Sequence, residues 1–205
     1  TKLFGTEPLF IFHPNDRTNE AVDRSVDPLG EAGANALRYW SIYPQFLRDT
    51  FVRAFTDGIT DPQNGRVMEG EWRRVLSQLR DAIFFCRTCG KENFYDPSLD
   101  QAVGAPNRKC WGCGNPVLLP FRITIGKSVV MLTHQGKLFP HHLDGGGAID
   151  FSTTAAEVVR HPTAANLWGL KNCTKEKWVV TNPDGSAADV PPGRSVVLQP
   201  NTRVN

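Results

Sequence analysis

No run of apolar residues in this 205-residue chain reaches the roughly 18 needed to cross a bilayer. The N-terminal stretch TKLFGTEPLF also lacks the basic-then-apolar layout of a secretory leader. Both absences lead to the expectation of a cytoplasmic chain with no membrane partner. Excess charge of one sign is missing too, since 23 Lys and Arg stand against 21 Asp and Glu, a formal net charge of +2. So weak a field argues against nucleic acid as the main partner. There is no low-complexity tract, and with 40% hydrophobic and 21% charged residues the composition is that of folded globular material, not a disordered tail. Cysteine is scarce, at five residues. In a cytoplasmic chain closely spaced cysteines are more often metal ligands or redox groups than disulfides.

Four of those five cysteines, Cys86, Cys89, Cys110 and Cys113, form the pattern C-x2-C-x20-C-x2-C in the segments CRTCG and CWGCG. Two intervening residues let both sulfurs of a pair turn to one side, and two facing pairs complete a tetrahedron with Zn–S distances of about 2.3 Å. Gly90 and Gly114 follow each pair and can take positive φ without a Cβ clash, which a tight turn beneath the sulfurs requires. The spacing therefore predicts a zinc ribbon over residues 86–118 holding one structural zinc ion. Four thiolates leave no open coordination position, so no chemistry is expected of the metal. A thioredoxin-type redox pair is disfavoured because no βαβ pattern surrounds either CxxC. Arg87, Lys91, Arg108 and Lys109 flank the site, and their simplest role is to offset the formal −2 charge of a zinc ion with four thiolates. With Phe94, Tyr95 and Trp111 between them, they also make the alternative of a nucleic-acid-binding zinc-ribbon protein. Cys173 stands alone and reads as a partly buried strand residue.

Upstream, Leu47, Phe51, Ala54 and Phe55 recur at helical spacing after Pro44, predicting a helix over 44–55. Trp72, Val75, Leu76, Leu79, Ala82 and Ile83 predict a second over 69–85. TDPQNGR, residues 60–66, is turn chemistry. Residues 15–35 hold few large apolar groups and predict a long loop without a packed element. Downstream of Cys113 the pattern turns to short β-branched or aromatic runs: FRITI, SVVML, AEVV, NLWGL, KWVV, SVVL and TRVN. NPDG and PPGR mark turns among them. Such spacing predicts a small antiparallel β-sandwich.

Residues 43–79, YPQFLRDTFVRAFTDGITDPQNGRVMEGEWRRVLSQL, resemble the end of a protein kinase C-lobe, and LFGTEPLF resembles the segment after that lobe's central helix. The resemblance covers about the first 85 residues and implies structural roles for Arg66 and Trp72. Met68 stands where kinases often carry a Ser or Thr cap, leaving Glu71 without a capping-box partner. The chain contains no glycine-rich nucleotide loop, VAIK lysine, HRD loop or DFG, so by itself it is not expected to be an enzyme. The order of lobe end, ribbon and β-domain resembles the kinases of bacterial stress systems related to tellurite resistance. That implies partners among proteins: the kinase's own N-terminal portion, and a co-encoded phosphatase or von Willebrand-type protein.

DFSTTAAEV, residues 150–158, lies over the I-S-R-x-H-A-x-I stretch of forkhead-associated (FHA) domains, and NLWGLKN resembles the strand leading into their Asn-containing loop. Ser152 and Ala156 match. Thr153 and Ala155 replace the family arginine and histidine, and His141 falls near an earlier phosphate-gripping arginine. The resemblance implies a degenerate FHA-like domain in which His141, Ser152, Thr153 and Asn172 are the candidate phosphopeptide contacts. His141 and His142, read as neighbours on a strand, point to opposite faces and are disfavoured as joint metal ligands. His13, His134 and His161 have no partner at ligand spacing.

The expected architecture is α+β and multidomain: a helical kinase-lobe remnant at 1–85, a four-cysteine zinc ribbon at 86–118 acting as a rigid joint, and an FHA-like antiparallel sandwich at 119–205. The expected function is that of a non-catalytic regulatory and protein-interaction region. The alternatives are the nucleic-acid-binding ribbon and a phosphothreonine-peptide reader.

Overall fold

The structure is a computed structural model describing residues 9–20, 31–101, 108–144, 148–164 and 166–205, the side chains of 31–34 and 100–101 excepted. It is a mixed α/β chain with few helices and several antiparallel sheets. Two compact units divide it: Thr1–Arg80 with Asn93–Pro116, and Asp81–Glu92 with Val117–Asn205. No described helix is long and apolar enough to cross a membrane.

The first unit carries helices α1 (Glu31–Trp40), α2 (Gln45–Phe55), α3 (Asp57–Thr60) and α4 (Glu69–Asp81). Pro44 precedes α2 as the sequence predicts, and the apolar spacing of α2 brings Phe51 edge-on to Trp72 of α4 at 5.0 Å. Phe12 stacks on Trp40 at 4.2 Å. Two expectations are corrected here. The loop expected over 15–35 gives way to α1 at Glu31, in a stretch where Ala32, Ala34 and Ala36 favour helix; residues 21–30 of it lie outside the described residues, as does most of LFGTEPLF. The helix expected to run to Phe85 stops at Asp81. Ile83–Phe85 instead forms strand β1, which pairs with β2 (Glu92–Phe94). Branched and aromatic residues at three successive positions favour extended backbone.

The second unit holds β3 (Phe121–Ile125), β4 (Ser128–Leu132), β5 (Lys137–Leu138), a short helix α5 (Pro140–Leu143), β6 (Ala156–Arg160), β7 (Trp168–Asn172), β8 (Trp178–Thr181), β9 (Ala187–Val190), β10 (Ser195–Val197) and β11 (Arg203–Val204). Their sheets run β10-β7-β6-β5, β11-β8-β9 and β3-β4, with every pairing antiparallel. NPDG turns β8 into β9, with Gly185 at φ 83°. Inward-facing residues of all three sheets meet in one core, including Leu132, Val158, Leu170, Val180, Val190 and Val196. Alternation along β6 and β7 explains this: Val158 pairs with Leu170 on the core side, while Val159 and Gly169 pair on the other.

Candidate metal centre

Each cysteine pair sits in a knuckle of the same construction. Cys86 donates its N–H to Lys91 O at 2.9 Å, and Gly90 N–H donates to Cys86 O at 2.8 Å. Cys110 donates to Asn115 O, and Gly114 to Cys110 O, both at 2.8 Å. Gly90 and Gly114 have φ of 72° and 73°, left-handed backbone that side-chain-bearing residues rarely adopt. The β1–β2 hairpin flanks the first knuckle, and an antiparallel bridge between Lys109 and Pro116 flanks the second.

The four Sγ atoms all lie within 4.8 Å of one another. A tetrahedral thiolate site with metal–sulfur bonds of about 2.3 Å has sulfurs about 3.8 Å apart, so the donor set fits a single ion. Among the described residues this is the group able to hold a metal. Cys86 and Cys110 are buried, Cys89 and Cys113 exposed, and no two of the five cysteines form a disulfide. Cys110 Sγ accepts from Gly112 N–H at 3.4 Å and from the side-chain amide of buried Asn93 at 3.6 Å. Hydrogen bonds of this kind favour the thiolate over the thiol. The sequence reading missed Asn93, which lies outside both knuckles.

The aromatic groups beside the cysteines are engaged in packing. Tyr95 is buried beneath the Arg108 guanidinium, 5.2 Å from its ring centre. Phe94 packs on Tyr43, and Trp111 lies edge-on to Tyr39. Asp96, also buried, accepts from Gln45 N–H at 2.8 Å and from the N–H and hydroxyl of Ser98. It caps α2, whose own N-cap, Pro44, offers no side-chain acceptor.

The remaining candidates fall as follows. Trp72 is half-buried in the α2–α4 contact, whereas Arg66 is exposed. Glu71 pairs with Arg53 of α2 across the helix contact, an ion pair unforeseen in the sequence. His141 and Ser152 both bond to Asp150: His141 Nδ1 lies 2.9 Å from its carbonyl oxygen, and Ser152 N–H donates to its carboxylate at 2.8 Å. Thr153 is exposed. Asn172 is wholly buried, its amide donating to Glu176 O and Val190 O while its oxygen accepts from Thr174. Cys173 is half-buried just after β7.

His141 and His142 are not on a strand, a correction to the sequence reading. They lie on α5, begun by Pro140 at its first position, with ring centres 4.2 Å apart. His142 is buried, and its Nδ1 accepts from Phe139 N–H at 2.9 Å. Its proton therefore sits on Nε2, which donates to Asp81 Oδ2 at 3.0 Å. His13 and His161 accept backbone N–H groups in their own turns, and His134 lies edge-on to Trp168.

Comparison with family models, curated proteins and solved structures finds no match to this chain.

Proposed function

We propose that the four cysteines hold one structural zinc ion and that the chain is a non-catalytic, protein-interaction region of a bacterial serine/threonine kinase. The observation carrying the metal assignment is the set of four sulfurs within 4.8 Å of one another. Four thiolates fill a tetrahedral ion and leave no position for water or substrate, so the metal's work is structural. Zinc suits an all-sulfur tetrahedral site and brings no redox chemistry. Ligation worth on the order of 10 kcal/mol stands in for the apolar core that the 86–118 segment is too small to build.

The kinase and FHA-like assignments rest on the sequence resemblances. Support comes from α2 and α4 lying where the lobe-end resemblance places two helices, with Phe51 on Trp72 between them. The three antiparallel sheets closing on one core suit an FHA-like sandwich. Proteins are the partners this reading names: the kinase's own N-terminal portion, and a co-encoded phosphatase or von Willebrand-type protein. The engagement of Tyr95, Phe94 and Trp111 in packing favours it over nucleic-acid binding, which needs aromatic faces open to bases.

Three measurements test the proposal. Elemental analysis of purified protein is expected to return one zinc per chain, and cobalt substitution to give the intense visible bands of tetrahedral thiolate coordination. Chain without stoichiometric metal, its thiols free or bridged, would remove the metal assignment. Intact mass of the natural gene product is expected to exceed 22.8 kDa by a catalytic domain; a mass equal to that value would remove the kinase assignment and leave the metal one standing.

A further inference from the structure

Trp168 opens β7 and lines two hollows in the surface of the unit formed by 81–92 and 117–205. The larger, about 390 Å³, has walls of Phe85, Leu118, Phe121 and Leu198, with Arg87 and His134 among its polar groups. That volume lies within the roughly 300–1,000 Å³ of ligand sites. The smaller, about 110 Å³, is bounded by Val159, Leu167 and Val197. Val159, Gly169 and Val197 face one another across β6, β7 and β10, and the middle residue has no side chain. The space is tight there, since a Cβ on Gly169 would lie 3.0 Å from Val196 O.

The apolar walls are unusually open to solvent, Leu118 at 68%, Phe85 at 52%, Leu167 at 44% and Val197 at 38%. Exposed apolar residues clustered this way mark interaction sites more often than scattered single ones do. The charged residues lining them are Arg87 in the larger and Arg160 in the smaller, the latter over the Trp168 ring at 5.8 Å, and no Asp or Glu lines either hollow.

We propose that this double hollow binds an extended acidic peptide segment of a partner protein, with one apolar side chain on each side of Trp168 and carboxylates on Arg87 and Arg160. The proposal rests on the interaction-region reading and gives it a surface and a ligand chemistry. β10, which carries Val197, is the edge strand of its sheet, so an extended segment can lie along it. The smaller hollow, walled by Val159, Leu167 and Val197 beside the edge strand β10, suits an apolar peptide side chain better than a stacked base. Here the one tryptophan is half-buried and already faced by Arg160 and His134.

The test is selection of a phage-displayed random dodecapeptide library on the full, metal-loaded chain, followed by fluorescence anisotropy with the recovered peptides. The variants are Leu118→Asp, Val197→Asp and Arg87→Gln, each checked for fold by circular dichroism and for metal content. Leu118 and Val197 are exposed, so the two Asp variants keep the core intact. Recovered peptides are expected to combine carboxylates with two apolar residues, and to lose about tenfold or more in affinity on Leu118→Asp and on Val197→Asp separately, as loss of an anchoring contact does. Arg87→Gln is expected to weaken binding and flatten its salt dependence. Peptides that bind the variants as tightly as wild type sink this site while leaving the interaction-region reading in place. Failure to recover any peptide counts against both. Binding of labelled oligo-dT that the same variants abolish would make the surface a nucleic-acid site and likewise overturn the proposal.

Discussion

Asn93 shows how one side chain supports a centre to which it gives no ligand. Its amide donates to Cys110 Sγ from a buried position, and removal of such a partner typically weakens metal binding by about 10–100-fold. Asn93→Leu is therefore expected to lower the affinity of the four-cysteine site for its metal within that range in competition with a chromophoric chelator, with one metal still bound per chain. Asp96 acts on α2 from 51 residues along the chain. Burial pushes its carboxyl up, but donation from Ser98 and Gln45 and the charge of Arg48 outweigh that, so its pKa lies below the ordinary carboxylate value. In the unfolded chain the group titrates near about 3.9, and the stability it contributes is present above that pH and lost as pH falls through the lower folded value. Asp96→Asn is expected to cost about 1–2 kcal/mol in urea unfolding at pH 7, with a gap from wild type that narrows below about pH 4. A constant gap down to pH 3 would refute the charge-based account. Neither residue was legible beforehand, because an isolated Asn or Asp carries no pattern in sequence.

The two knuckles are the elements best written in sequence. A CxxCG segment places two sulfurs and one positive-φ glycine within five residues, and the backbone hydrogen bonds from Cys86, Gly90, Cys110 and Gly114 that close the turns are local. Gly114→Ala puts a Cβ on backbone at φ 73° with nothing within 4 Å to meet it, so the cost is conformational, about 1 kcal/mol. Thermal melts are expected to register it as a lowered midpoint, and Gly90→Ala should behave alike. α5 was the element misread. Pro140 at its first position is a helix-start signal, but four residues are too few for periodicity to speak. The consequence is chemical, since on α5 His142 turns inward to accept from Phe139 and donate to Asp81. His142→Leu removes the acceptor of the buried Phe139 N–H and the donor to the half-buried Asp81 carboxylate, and is expected to cost about 1–3 kcal/mol in urea unfolding. A loss under about 0.5 kcal/mol, the level of a surface substitution, would show that water replaces the imidazole.

Across the whole molecule, the two kinds of stabilisation predict different responses to chelation. On the proposed reading the knuckles hold their turns by ligation, whereas β4 to β10 share an apolar core drawn from three sheets. Metal removal is expected to abolish hydrogen-exchange protection at the amides of Gly90, Cys110 and Gly114 while those of Val158, Leu170 and Val180 stay protected. Equal loss at both sets would mean that the β-core also depends on the metal. Local information in the sequence determined the knuckles, the helical stripes of α2 and most of α4, and most strands with their NPDG and PPGR turns, because each depends on residues within a few positions of one another. Only the tertiary structure decided which sulfurs converge, that Asp96 caps α2, that Asn93 reaches Cys110, that His142 meets Asp81 61 residues away, and that Val159, Gly169 and Val197 line a hollow beside Trp168. Those contacts depend on how distant segments pack, and no local spacing encodes that.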